Sequence, residues 1–213
     1  MLEQLKDQLT SLLKQLPKNN LVCSTSGNIS ARDKTTNLII IKPSGIPYEL
    51  IEPQHLVVLD INGKIVEGNC KPSSDTKSHL YIYQNRDDIF GITHTHSKYA
   101  TAFAAHGSEI PVFITETAEE FGGAIPCAKF VLIGDDEIGR QVIKNGNTSN
   151  AVLLKKHGVF TMGNSPQKAL DLAIYVENSA HIAWLALQIG KPDEISSEDI
   201  HALYSRQQNI YGQ

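Results

Sequence analysis

Cysteine is scarce in this chain: Cys23, Cys70 and Cys127 are scattered and form no C-x-x-C pair. An odd, unclustered set excludes a disulfide framework and a thiolate zinc site, and predicts free thiols in a reducing, cytoplasmic setting. Positive charge is not in excess either. Lys and Arg number 19 against 23 Asp and Glu, a net charge of −4, which leaves no basic stripe for nucleic acid. No run of about 18 apolar residues exists to span a bilayer, so no membrane segment is expected. The opening Met1-Leu-Glu-Gln-Leu-Lys-Asp lacks the basic start and apolar core of a signal peptide. Walker-type phosphate loops and dinucleotide fingerprints are missing as well, which removes the support for a nucleotide cofactor. What remains is the composition of an ordinary globular protein, 41% hydrophobic and 20% charged over 213 residues, enough for one domain across residues 1–213 with a sizeable core.

The periodicity alternates between helix and strand. Leu2, Leu5, Leu9, Leu12, Leu13 and Leu16 recur at helical spacing and stop at Pro17. Leu38 to Ile41 reads as a buried strand, and Asn62-Gly63 between Leu56–Asp60 and Lys64–Val66 predicts a hairpin. Ser73 or Ser74 is placed to cap a helix running through Gln84. Further helices are expected over 97–106, 135–144, from Ser165-Pro166 to Ile189, and over 198–207, with strands at 131–133, 151–154 and 158–162. Trp184, on the long helix, is expected against the sheet. This intermixing predicts an α/β fold, a single-domain three-layer α/β/α sandwich around a mixed, largely antiparallel central sheet.

Against that background one run stands out: Phe90-Gly-Ile-Thr-His94-Thr-His96-Ser. Side chains alternate along a strand, so His94 and His96 project from one face as a pair of nitrogen ligands. A third imidazole, His157, follows the apolar run Leu153-Leu154 in a His-Gly turn, and Asp75 supplies an acidic candidate. Three histidines, with or without a carboxylate, suit one divalent ion of zinc type, with Mn2+ or Co2+ as alternatives. Two serine-and-glycine turns, Ser26-Gly27-Asn28-Ile-Ser30 and Lys42-Pro43-Ser44-Gly45, offer hydroxyls, an amide, a lysine and close-approaching backbone to phosphate oxygens. Ser73 and Ser74 add hydroxyls at a helix start. Glu116, Glu119 and Glu120 precede Gly122-Gly123 in what reads as a flexible, carboxylate-bearing loop. His55, His79, His106, His181 and His201 have no partner at ligand spacing and are read as structural.

In this order and spacing, Gly27-Asn-Ile-Ser30, Lys42-Pro-Ser-Gly45, Lys71-Pro-Ser-Ser-Asp75, His94-Thr-His96-Ser97 and His157-Gly158 resemble the class II aldolase/adducin family. The likeness covers nearly the whole chain, including the tail Tyr211-Gly-Gln213. Within the family it is nearest to the L-ribulose-5-phosphate 4-epimerase branch, with the fuculose-phosphate aldolases as near relatives. The resemblance implies His94, His96 and His157 as metal ligands with Asp75 beside or on the metal. It implies Asn28, Lys42, Ser44, Gly45, Ser73 and Ser74 as the phosphate site of a phosphorylated ketose. It further implies Glu119 and Tyr211 as proton-transfer groups, Tyr211 reaching in from a neighbouring subunit of a homotetramer. Glu119 stands where the epimerase branch has an aspartate, while Ile125-Pro-Cys-Ala, Ile133-Gly and Glu137-Ile look more like the aldolase. Epimerisation and cleavage share retro-aldol chemistry through an enediolate, and differ in whether the aldehyde fragment is turned over and re-added or released. A metallohydrolase and a metal-free adducin-like interaction module are the competing readings.

Overall fold

A computed structural model of the protein describes residues 2–146 and 149–210, without the side chain of Ile210. The helices are α1 (Leu2–Leu13), α2 (Gln15–Lys18), α3 (Thr76–Asn85), α4 (Lys98–His106), α5 (Thr115–Phe121), α6 (Glu137–Asn145), α7 (Pro166–Ile189) and α8 (Ser197–Ile210). The strands are β1 (Asn28–Arg32), β2 (Ile39–Ile41), β3 (Val57–Leu59), β4 (Ile65–Glu67), β5 (Gly91–Thr95), β6 (Cys127–Ala128), β7 (Ala151–Leu154) and β8 (Gly158–Gly163). They form one sheet in the order β4-β3-β2-β1-β5-β8-β7-β6. Every pairing is antiparallel except β6 with β7, so the sheet is mixed as expected.

Alternation along the strands divides the core between two faces. Leu9, Leu13 and Leu16 pack with Ile29, Ala31, Ile40 and Val58, and with Leu170 and Ala173 of α7. Ala100, Ala104 and Val176 cover Leu153 and Val159 farther along the same side. On the opposite face Leu80, Ile82 and Tyr83 of α3 and Ile138 and Val142 of α6 cover Ile39, Ile92, Val152, Phe160 and Met162. Adjacent strand residues such as Ile39 and Ile40, or Val159 and Phe160, thus serve different layers, which makes the three-layer sandwich.

Local signals explain several element ends. Ser165 Oγ accepts the Lys168 N–H with Pro166 in the first turn of α7. Gly107, at φ +92°, closes α4 in the left-handed region. The β3–β4 hairpin turns at Asn62-Gly63, where Asp60 Oδ1 accepts the N–H groups of Asn62 and Lys64. All three cysteines are free thiols. Among the described residues no helix is long and apolar enough to cross a membrane.

Four expectations fail for physical reasons. Residues 131–133 are not a strand: Leu132 is 76% exposed and Ile133 57%, and the pairing edge is instead Cys127–Ala128 beside Leu153 and Leu154. The stretch around Glu116, Glu119 and Glu120 is helix α5 rather than a flexible loop, capped by Gly122 at φ +67°. Asn28 to Ser30, read as a turn, opens the fully buried strand β1; the turn ahead of it is Cys23–Ser26, closed by the Ser26 N–H on the Cys23 carbonyl. Trp184 lies against the Tyr99 ring and stays 43% exposed, away from the sheet.

Candidate metal centre and anion cradle

The two central strands β1 and β5 pair with Asn28 opposite His94. His94 is on β5, His96 lies one residue beyond its end, and His157 sits in the turn joining β7 to β8, where Lys156 takes φ +62°. Candidate ligand atoms of the three rings lie within 4.8 Å of one another. His94 Nε2 is 3.0 Å from His96 Nε2, and Phe160 stacks under the His94 ring at 4.5 Å. This convergence needs a residue without a side chain at 158: a Cβ there would stand 2.3 Å from the Thr95 carbonyl oxygen and 2.9 Å from the His96 ring.

The donor set fits a divalent ion. His94 Nδ1 lies 2.8 Å from the Val159 carbonyl, which can only accept, so the proton resides on Nδ1 and the Nε2 lone pair faces the other rings. Burial pushes all three imidazoles below their ordinary pKa, keeping them neutral as ligation requires. Asp75 Oδ2 is 3.9 Å from His94 Nε2. Burial raises the Asp75 carboxyl, but His94, His79 and the Asn28 hydrogen bond outweigh it, and the net shift is downward. The hydrogen bond that Asp75 Oδ2 accepts from the Asn28 amide nitrogen favours the charged carboxylate whether or not the rings are protonated.

The same cleft, of about 310 Å³, is lined by Thr25, Ser26, Gly27, Asn28, Lys42, Ser44, Gly45, Ser73, Ser74, Asp75, His94, His96, His157 and Ile133. Two turns remote in sequence meet there because the backbone joins them: Pro43 bridges Pro72, Ser44 N–H donates to the Lys71 carbonyl, and Ser73 N–H donates to the Lys42 carbonyl. Lys42 is buried, spends two N–H groups on the Thr25 and Pro43 carbonyls, and rests over the Tyr48 ring at 4.7 Å. Burial lowers it to about 8, with Asp75 pulling the other way. The third ammonium proton is left for an anion. Helix α3 starts at Thr76 with Asp75 as its cap residue, later than a Ser73 cap would place it.

Of the residues expected at the site, Asn28, Lys42, Ser44, Gly45, Ser73, Ser74, Asp75 and the three histidines are brought together in this cleft. Glu119 is on α5 and outside the cleft lining, and Tyr211 lies outside the described residues. Tyr48 was missed. Its hydroxyl donates to the Ser26 and Gly27 carbonyls and braces the turn ahead of Asn28, although nothing in its local sequence marks it.

The model of the class II aldolase and adducin N-terminal domain matches residues 7–184. The chain belongs to the class II aldolase and adducin family. It is 36% identical over 198 residues to L-ribulose-5-phosphate 4-epimerase UlaF of Salmonella paratyphi B, covering 87% of this chain and 86% of that one. A solved L-fuculose 1-phosphate aldolase superposes with a TM-score of 0.92 at 33% identity, over 96% of each chain. L-fuculose-1-phosphate aldolase from Thermus thermophilus shares the fold at a TM-score of 0.76 and 23% identity, over 89% of this chain and 98% of that one. Both the relative and the neighbours of this class II aldolase/adducin chain thus carry epimerase or aldolase names.

Proposed function

We propose that the protein is a metal-dependent sugar-phosphate enzyme acting by retro-aldol and aldol chemistry, an L-ribulose-5-phosphate 4-epimerase or, in the second reading, an aldolase cleaving a ketose phosphate. The observation that carries the proposal is the joining of three convergent imidazoles and a two-turn anion cradle in one cleft. The 36% identity to an epimerase favours the first reading. The superposition on L-fuculose 1-phosphate aldolase over 96% of both chains supports the second.

A divalent ion held by His94, His96 and His157, most simply zinc, would supply Lewis-acid stabilisation of negative charge developing on the ketose oxygens. Lys42, Ser44, Gly45, Ser73 and Ser74 hold the phosphate, which anchors one end of the sugar and leaves its carbonyl end toward the histidines. The Asp75 carboxylate, charged and 3.9 Å from His94 Nε2, faces that end, where it can hold a proton of a substrate hydroxyl or join the ligand set. Turning over a fragment and re-adding it from the other face calls for proton transfer on both sides of the substrate. Glu119 and Tyr211 are proposed for this work. Since Glu119 is outside its own chain's cleft, the proposal includes a homotetramer in which neighbouring subunits complete each site. A reducing cytoplasmic setting accords with the three free thiols.

The test is to incubate zinc-loaded protein with L-ribulose 5-phosphate and with L-fuculose 1-phosphate, and to follow epimer and free aldehyde separately. An epimer without aldehyde supports the first reading and aldehyde release the second. No conversion of either, with metal bound, overturns the proposal.

A further inference from the structure

Asn28 stands opposite His94 in the β1–β5 pairing and is 1% exposed. A carboxylate can only accept, so the amide orientation is decided: the atom 2.7 Å from Asp75 Oδ2 is the nitrogen. The same nitrogen donates to Ser73 Oγ at 3.0 Å. Both amide protons are thereby spent within the protein, and Asn28 Oδ1, buried and without a partner among the described residues, is the polar atom left over. The oxygen of Asp75 that the amide grips is also the one facing His94 Nε2, at 3.9 Å.

We infer that Asn28 is a positioning residue for Asp75, fixing the carboxylate oxygen that faces His94 and so strengthening the hold of the three-histidine site on a divalent cation. Ser73 completes the arrangement, because its Oγ also accepts the Asp75 backbone N–H at 3.3 Å. Side chain and main chain of Asp75 are thus held from two directions, and the carboxylate cannot swing about its terminal torsion without breaking the Asn28 bond. The sequence pattern places Asn28 with the phosphate turn, and the geometry adds a bond from it to Asp75 on the metal side of the cleft. This inference rests on the metal-site reading above.

The experiment measures zinc affinity, with no sugar present, by competition with a chromophoric chelator for the wild type, Asn28→Ala, Asn28→Ser, Asp75→Ala and the Asn28→Ala/Asp75→Ala double variant. Thermal unfolding of each metal-free protein reports folding, and the shorter Asn28→Ser serves if the alanine variant does not fold. The expected result is a loss of about 10- to 100-fold in zinc affinity for either Asn28 substitution. In the Asp75→Ala background the same substitution should change affinity by less than about twofold, because the partner through which Asn28 acts is gone. Zinc affinity within about twofold of wild type in the folded Asn28 variants, or an equal loss with and without Asp75, overturns the inference. A wild type that binds no zinc overturns the metal-site reading and takes this inference with it, an outcome distinct from a zinc-binding wild type beside unaffected Asn28 variants.

Discussion

Replacing Gly158 by Ala adds one methyl group and tests the construction of the histidine site. Gly158 is outside the left-handed region, so the penalty is steric alone. The new Cβ would lie 2.3 Å from the Thr95 carbonyl oxygen, 2.9 Å from His96 Cδ2 and 3.2 Å from His94 Cε1. To bring the first contact only to the 3.0 Å floor for real Cβ atoms, the carbonyl between the two histidines must retreat by about 0.7 Å. Metal–nitrogen distances tolerate errors of about 0.2 Å, so that retreat takes at least one ring out of the ligand set. The expected loss of zinc affinity is about 100-fold or more, roughly 2.7 kcal/mol. Overpacking should also cost about 1–3 kcal/mol of metal-free stability, a fall in melting temperature of about 2–12 °C for a chain of this size. Chelator competition reads the first quantity and calorimetry the second. Wild-type zinc affinity in a folded Gly158→Ala protein would refute the claim that close approach at residue 158 builds the site.

Gly27→Ala should be worse for stability than for chemistry: at φ +73°, with Val22 Cγ1 at 2.5 Å and the His94 carbonyl at 2.8 Å, it should cost about 2 kcal/mol or more, seen as a lower melting temperature. The second-order rate constant kcat/KM for a phosphorylated ketose should fall as pH rises through about 8, where Lys42 loses its proton, and Lys42→Met should remove that limb while weakening phosphate binding at neutral pH. The same depressed pKa means that the unfolded chain binds more protons between about pH 8 and its ordinary value of 10.5, so this group's contribution to stability rises with pH across that window. Tyr211→Phe should lower kcat about 100-fold with zinc content intact, and hybrids of Tyr211→Phe with His94→Ala subunits should regain activity. Inactive hybrids of verified composition would argue against a site completed by a neighbouring subunit.

Much of the site was legible because its residues come in short runs whose geometry the chain dictates locally. His94 and His96 are two apart on or beside a strand, His157 precedes a glycine whose added Cβ would crowd the Thr95 carbonyl, and Lys42-Pro-Ser-Gly45 is a turn by composition. The helices were legible for a similar reason, since Ser165-Pro166 and Gly107 are end signals that act through neighbouring backbone groups. What escaped depends on distant partners. Strand β6 is two residues long and exists because Leu153 and Leu154 lie alongside, whereas Val131 to Ile133, more strand-like in composition, has no such neighbour. Tyr48 became part of the site only when folding carried it beneath Lys42. Asn28 looked like turn chemistry because Asp75, the group that takes its proton, is 47 residues away.

The position of β5 and β8 within the sheet has a consequence in time as well as in space. Three strands lie beyond β1 on one side and two beyond β8 on the other, so the strands that carry or flank Asn28, His94 and His157 are enclosed, while β4 is exposed along its length and β6 spans two residues. Backbone amides of such an interior exchange with solvent only when the whole domain opens, and those of the margins exchange through local fraying at much smaller free energies. A protease that nicks the Asn62-Gly63 hairpin, or a denaturant concentration that releases it, should therefore reach the periphery long before the cleft. Deuterium uptake should record the amides of Thr93 and Thr95 among the slowest clocks in the molecule.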